Sequence, residues 1–326
     1  MPLHPRASRH TGAMVEQRYG VALSSLDDEL FAGAGATKRD LLDHLEAVAD
    51  AMLPGLADRP LSVVRVRPGQ PAFMQKNLPA YAPAWVERVP IWSAASHREV
   101  AYAVVADRRA LVWFCNQRAV EYHVPLFRLA APEVPNALVM DLDPPEGASF
   151  DVVVAAARVV RRVLDEAGLA SAVKTSGSKG VHVFVPVTEE PVDDVAAATR
   201  AVAARAERLD PERTTTAYVK ADRAGKVFLD PTRVGGATVV AAYSPRVRPG
   251  ATVSFPVAWD DLDRVVPDDF TVHTVRDLLD GPTWGDRLPA PQPLPADLVV
   301  EGHSIPVARV QAMHEGLRRK RARRDT

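Results

Sequence analysis

Cysteine is nearly absent from this 326-residue chain: only Cys115 is present, so neither a disulfide framework nor a thiolate zinc site can form within one chain. A reducing compartment suits such a protein, and the expected location is the cytoplasm. Long apolar runs are missing as well. Residues 1–20 mix polar and basic side chains with no apolar stretch, and nothing later approaches the roughly 20 apolar residues of a membrane span, so the chain reads as soluble, unexported and without a membrane partner. Charge of one sign is also lacking, with 40 Lys and Arg against 41 Asp and Glu. Global attraction to a polyanion is thereby excluded, and any nucleic-acid binding must come from a basic surface segregated from acidic ones.

What remains is ordinary for a globular protein: 47% hydrophobic and 25% charged residues, enough to bury a sizeable core. After a flexible N-terminus over 1–20, Thr37 reads as a helix N-cap, with Asp40 in the first turn and Leu41, Leu42, Leu45, Val48, Ala49 and Met52 as an apolar stripe ending near Pro54. Residues 61–67 read as a strand, 69–83 as a loop, 101–105 as a strand, 107–117 as a helix and 119–123 as a strand. Helical spacing recurs over 150–167 and 192–209, two strands flank a glycine turn over 174–186, and 226–229 and 238–242 add strands before a helical stretch at 260–279. This interleaving predicts an α/β fold on a mixed sheet. The expected body spans 21–284, with an N-terminal lobe to about residue 100, and 285–326 reads as a proline-rich linker and a basic tail.

The sharpest chemical feature is Val139-Met140-Asp141-Leu142-Asp143-Pro144. Strand side chains alternate, which puts both carboxylates on one face about 6 to 7 Å apart along the chain. Hard oxygen donors of this kind suit Mg²⁺ or Mn²⁺, and two such ions can activate an attacking hydroxyl while neutralising a leaving pyrophosphate. Alone, the hexamer equally suits a strand end turning at Pro144. A second cluster runs from Lys174 through Ser176-Gly177-Ser178-Lys179-Gly180 to His182. Glycines let a backbone approach phosphate closely, and the lysine adds positive charge. It is no Walker loop, because a strand and not a helix follows it; by composition alone it also reads as a plain hairpin. Asp230, at the end of the apolar strand 227–229, is a third carboxylate in reach of ions held by the first two, or simply a turn former.

Together these segments resemble the three ordered motifs of the polymerase domain of bacterial ligase D, in the archaeo-eukaryotic primase superfamily. The likeness rests on residues 140–144, 176–182 and 225–230, with further matches at 37–40, 71–76, 121–125 and 243–246, and spans roughly 26–261. It implies a primase-like catalytic core, with a small N-terminal α/β lobe. It also implies that Asp141, Asp143 and Asp230 hold two Mn²⁺ or Mg²⁺ ions, and that Ser176, Lys179, His123, Arg223 and Arg246 line an incoming NTP or dNTP. His182 matches the motif-two histidine, and Phe73 matches an aromatic that stacks on the base. Lys38, with Arg65 and Lys76, is expected to meet DNA at a gap or end. The implied activity is primer extension in gap filling or end remodelling, with Ku and a separate DNA ligase as partners, by either a free-standing polymerase or a domain excised from a longer enzyme.

Four departures stand against the family pattern. Asp28 replaces a second phosphate-holding lysine, Met74 stands where a second phenylalanine is common, Val64 takes the place of a basic residue beside Arg65, and Arg233 stands where a polar amide often follows the third aspartate. An aspartate facing a 5′-phosphate repels it, which allows a stand-alone paralogue filling short gaps in excision repair. Two rivals belong to other classes. A two-metal nuclease also wants clustered carboxylates but has no use for a triphosphate cradle, and a non-catalytic DNA-end binder has no need of three intact aspartates.

Overall fold

The computed structural model describes residues 15–93, 97–235 and 237–307. Most of the segment read as a flexible N-terminus, and the basic block at 318–324, lie outside the described residues. A small hairpin, β1 (Gln17–Arg18) and β2 (Val21–Ala22), precedes α1 (Lys38–Ala47) and α2 (Ala49–Leu56). Helix α1 starts where the side chain of Thr37 accepts from Asp40 N–H while Asp40 accepts from Thr37 N–H, a reciprocal cap that satisfies two otherwise orphaned donors. Next come β3 (Ser62–Arg67), β4 (Gln70–Gln75), β5 (Arg88–Ser93) and β6 (Arg98–Ala103), then α3 (Arg108–Asn116), capped by Asp107. The chain continues through β7 (Ala119–Pro125), β8 (Phe127–Arg128), β9 (Ala131–Pro135), β10 (Ala137–Asp143), α4 (Phe150–Glu166), β11 (Ala172–Thr175), β12 (Val181–Pro186) and α5 (Val192–Leu209). It then adds β13 (Thr214–Thr215), β14 (Val227–Asp230), β15 (Thr238–Val240), β16 (Pro256–Val257), α6 (Trp284–Arg287) and α7 (Ala296–Ser304).

Two sheets organise the molecule. The larger has the order β13-β14-β10-β12-β11-β16; its pairings are antiparallel except β13 with β14. The smaller, β15-β7-β3-β4, is antiparallel throughout. The chain is therefore a mixed α/β protein, as its pattern predicts. Helices α4 and α5 pack on the larger sheet through Val153, Ala157, Val160, Leu164, Val195, Ala198 and Val202, all buried at helical spacing. By strand alternation, Leu138, Met140 and Leu142 of β10 take one face while Val139, Asp141 and Asp143 take the other.

Three stretches differ from expectation. The loop expected over 69–83 begins as β4, which folds back on β3 through Gly69 at φ +69°. Strand β4 lies at the sheet edge, where Pro71 needs no ladder donor on its outer side. The helix expected over 260–279 is instead three short 3-10 turns, Trp259–Arg264, Pro267–Asp269 and Val275–Leu278, interrupted by Pro267. Helix α7 falls inside the stretch read as a linker and packs against α5. A Cβ on Gly302 would lie 1.8 Å from the Ala197 carbonyl oxygen, so only glycine permits this approach. Leu298 is fully buried there, and Arg205 pairs with Glu301 at 2.7 Å and Asp297 at 2.8 Å.

Candidate active site

Register alone draws the acidic cluster together. Asp230 on β14 lies directly opposite Asp141 on β10, Asp141 opposite His182 on β12, and His182 opposite Lys174 on β11. Four polar side chains thus form one row across four strands, with Asp143 two pairs further on, opposite Phe228. All members of the row are buried. Burial would raise Asp141, but His182 and the Arg233 guanidinium outweigh it and hold its carboxyl well below the usual range. His182 Nε2 lies 3.2 Å from Asp141 Oδ1, and Arg233 Nη2 lies 2.6 Å from Asp141 Oδ2 and 3.1 Å from Asp230 Oδ2. The other Asp230 oxygen accepts from the Thr232 N–H at 2.8 Å and the Thr232 hydroxyl at 2.6 Å. Asp143 receives no hydrogen bond among the described residues; burial and the neighbouring Asp141 charge raise its pKa.

Behind this row, Lys174 Nζ lies 2.9 Å from His182 Nδ1 and donates to Ser254 Oγ at 2.5 Å. Burial and the Arg246 charge push the Lys174 amine well below its usual pKa, and burial together with the Lys174 charge lowers His182 to about 4, so the His182 ring is neutral near pH 7. A lysine donor at Nδ1 leaves the ring hydrogen on Nε2, aimed at Asp141.

The loop joining β11 to β12 is built tightly. Ser176 Oγ accepts from the backbone N–H groups of Ser178 at 3.2 Å and Gly180 at 3.1 Å. Gly177 has φ +67°, and a Cβ there would lie 2.6 Å from Ser254 N; one on Gly180 would lie 2.4 Å from the Leu142 carbonyl oxygen. Both positions therefore demand glycine. Lys179 is exposed at the tip and lines a cleft of about 760 Å³ with Ser178, Arg248 and Thr252.

Glu121, a residue without an assigned role in the sequence reading, joins the two sheets. Its carboxylate accepts from His123 Nε2 at 2.8 Å and Val247 N–H at 2.9 Å and pairs with Arg246 Nε at 3.1 Å, while Arg246 Nη1 donates to the Ser176 carbonyl at 2.6 Å. Burial alone would raise Glu121; these cationic and hydrogen-bond partners instead hold it at about 2. Its one sequence signal is the two-residue spacing from His123, which places both on one face of β7.

The remaining expected residues divide. Phe73 is half-buried on β4 opposite Arg65, with the Arg67 guanidinium 4.8 Å from its ring centre. Arg223 lies 3.7 Å over the Phe228 ring and lowers Asp143 through its charge, so it borders the cluster. Lys76 is exposed. Arg65 is buried and committed to the Gln117 carbonyl at 2.7 Å and Gln75 at 2.8 Å. Lys38, expected at the DNA, is 1% exposed, and its ammonium donates to the Ser24 carbonyl and to Asn116 Oδ1 at 2.7 Å. Asp28 pairs with Arg118 at 2.6 Å.

A two-sheet fold thus carries strand-borne carboxylates beside a glycine-bounded Ser/Lys loop, the arrangement expected of a primase-polymerase domain. Comparison with known proteins agrees: the LigD primase-polymerase domain matches residues 37–284. The chain is 38% identical over 267 residues to the multifunctional non-homologous end joining protein LigD of Mycobacterium bovis, covering 77% of this chain and 34% of that protein. It is 34% identical over 262 residues to the bifunctional LigD of Bacillus subtilis, covering 78% of this chain and 42% of that protein. The solved polymerase domain of Mycobacterium tuberculosis ligase D, in complex with DNA, superposes with a TM-score of 0.73 at 35% identity, over 81% of this chain and 95% of that one. This chain belongs to the LigD primase-polymerase family, whose members are nucleotidyltransferases. It spans about a third of the length of the mycobacterial relatives it matches. No helix among the described residues is long and apolar enough to cross a membrane.

Proposed function

We propose that this chain is a template-directed nucleotidyltransferase that extends a primer 3′-hydroxyl with dNTPs or rNTPs. The observation that carries the reading is the row Asp230, Asp141, His182 beside the Ser176 to Gly180 loop, tied to the second sheet through Arg246 and Glu121. Among the described residues no group of three or more His, Cys, Asp and Glu side chains is placed to hold a metal ion as it stands, and the Arg233 guanidinium sits between two of the aspartates. That guanidinium is itself a stand-in cation, 2.6 and 3.1 Å from two carboxylates. Asp141, Asp143 and Asp230 therefore fit a divalent ion once Arg233 gives way, and these are the residues that would hold Mn²⁺ or Mg²⁺. Such ions, when bound, lower the pKa of an attacking hydroxyl and neutralise the departing pyrophosphate.

The chain's own residues supply the rest. Lys179 and Arg246 bring fixed positive charge to a triphosphate, and preorganised charge of this kind stabilises the transition state without reorganisation at the moment of reaction. His123, buried and lowered by desolvation, is neutral near pH 7 and donates to Glu121 through Nε2, which leaves Nδ1 to accept. Phe73 offers a face on which any base stacks. His182 holds the orientation of Asp141.

The names of the relatives support a role in non-homologous end joining, and the DNA-bound relative supports a DNA substrate; within that role we propose gap filling or end remodelling, with Ku and a separate ligase as partners. The burial of Lys38 and the pairing of Asp28 favour a second reading, short-gap filling without 5′-phosphate capture. Primer extension across a short gap with Mn²⁺ or Mg²⁺, comparing dNTPs with rNTPs, tests the activity: Asp141→Ala is expected to abolish incorporation, and equal incorporation by both proteins would refute it. Comparing gaps with and without a 5′-phosphate separates the two roles.

A further inference from the structure

Every oxygen of Asp141 and Asp230 already has a partner from the chain. Asp141 faces His182 through Oδ1 and Arg233 through Oδ2, and Asp230 faces Thr232 through Oδ1 and Arg233 through Oδ2. An ion set between Asp141 Oδ2 and Asp230 Oδ2 has to take the place of the guanidinium that both now face. His182 is buried and braced from behind by Lys174, and Thr232 reaches its aspartate from two residues away. Arg233 is the yielding member: its side chain is 30% exposed, and among the described residues its Nε is buried without an acceptor and only the carboxylates anchor the guanidinium. Its Nη2 occupies the point where the two carboxylates converge. A neutral amide at the same position brings no charge to compete there.

We infer that Arg233 is a resident counter-cation that a divalent ion has to displace from Asp141 and Asp230. This chain therefore binds its ions more weakly, and holds its acidic cluster together better without them, than the same cluster carrying an amide at position 233. The inference rests on the metal-dependent reading above.

The test uses the full chain and Mn²⁺ alone as probe, with free Mn²⁺ counted by electron paramagnetic resonance and melting followed with and without the ion. Arg233→Gln is expected to bind Mn²⁺ about tenfold more tightly, the factor that a lost charge-assisted competitor is worth. It is also expected to melt lower than wild type in chelator and to gain more from Mn²⁺. Arg233→Lys keeps the charge but loses the planar fork, should fall between the two, and serves if the glutamine variant does not fold. Asp141→Asn in each background identifies the site. Asp141-dependent binding of equal strength in wild type and variants, or weaker binding after Arg233→Gln, overturns the role of Arg233 and leaves the metal reading standing. Absence of Asp141-dependent binding in every protein overturns the metal reading and the inference with it.

Discussion

Glu121→Gln separates electrostatics from shape at the joint between the two sheets. The amide keeps the size of the side chain but loses the charge that meets His123 and Arg246. The carboxyl is held at about 2 against an ordinary 4.5. At about 1.4 kcal/mol per pKa unit, that gap is worth about 3 kcal/mol at neutral pH. The sign follows from a depressed carboxylate: its contribution is fully present above pH 4.5 and is lost as pH falls through 2. The expected loss in Glu121→Gln is therefore about 3 kcal/mol at pH 7, narrowing to about 1.4 kcal/mol at pH 3. Urea unfolding of both proteins at the two pH values measures it. Triphosphate binding should weaken alongside, because Arg246 and His123 lose their shared anchor. A loss under about 1 kcal/mol at pH 7, or a difference that does not narrow with acid, would show that this ion-paired joint contributes nothing special.

Gly177→Ala forces a Cβ onto Ser254 N in a left-handed backbone conformation, so a destabilisation of about 2 to 5 kcal/mol is expected by denaturation, and a loss below about 1 kcal/mol contradicts the packing described. Lys38→Met should cost about 1 to 3 kcal/mol by orphaning the acceptors at Ser24 and Asn116, with DNA affinity showing the same salt dependence as wild type; a salt slope lowered by about one would restore Lys38 as a phosphate contact. His44 is buried and lowered to about 4 by burial. A histidine kept neutral in the fold stabilises fully above pH 6.5 and loses that contribution as pH falls toward 4, here about 3 kcal/mol. His44→Gln should flatten the fall of melting temperature across that window, and an unchanged profile would reject the assignment.

Much of this fold was legible because local physics and tertiary packing agree. Thr37 with Asp40 and Asp107 at the start of α3 are helix caps by residue type, and the apolar spacing of α5 marks a buried face over its whole length. Strand alternation put Asp141 and Asp143 on one face, and the order of the three motifs pointed to a convergence that the register then shows for Asp141 and Asp230. What escaped is what periodicity does not encode. Strand β4 is an edge strand with Pro71 near its start, which by composition reads as a loop. The packing of α7 depends on Gly302 meeting a backbone 105 positions away. Lys38 looked like a surface cation, and only the arrangement of Ser24 and Asn116 around it shows its charge turned inward. Arg233 stood out as a departure, but its position between two carboxylates is a property of the folded cluster.

Asp143 offers the most direct test of the central claim, because it alone among the three aspartates receives no hydrogen bond from the described residues and its raised pKa shows that the fold disfavours its charge. Nucleotide incorporation at a gapped primer should be measured for Asp143→Asn together with its melting temperature. Incorporation should fall by at least about a thousandfold, a loss of ~4 kcal/mol of transition-state stabilisation, with stability equal to wild type or higher. Retained incorporation in a protein of undiminished stability would contradict the account.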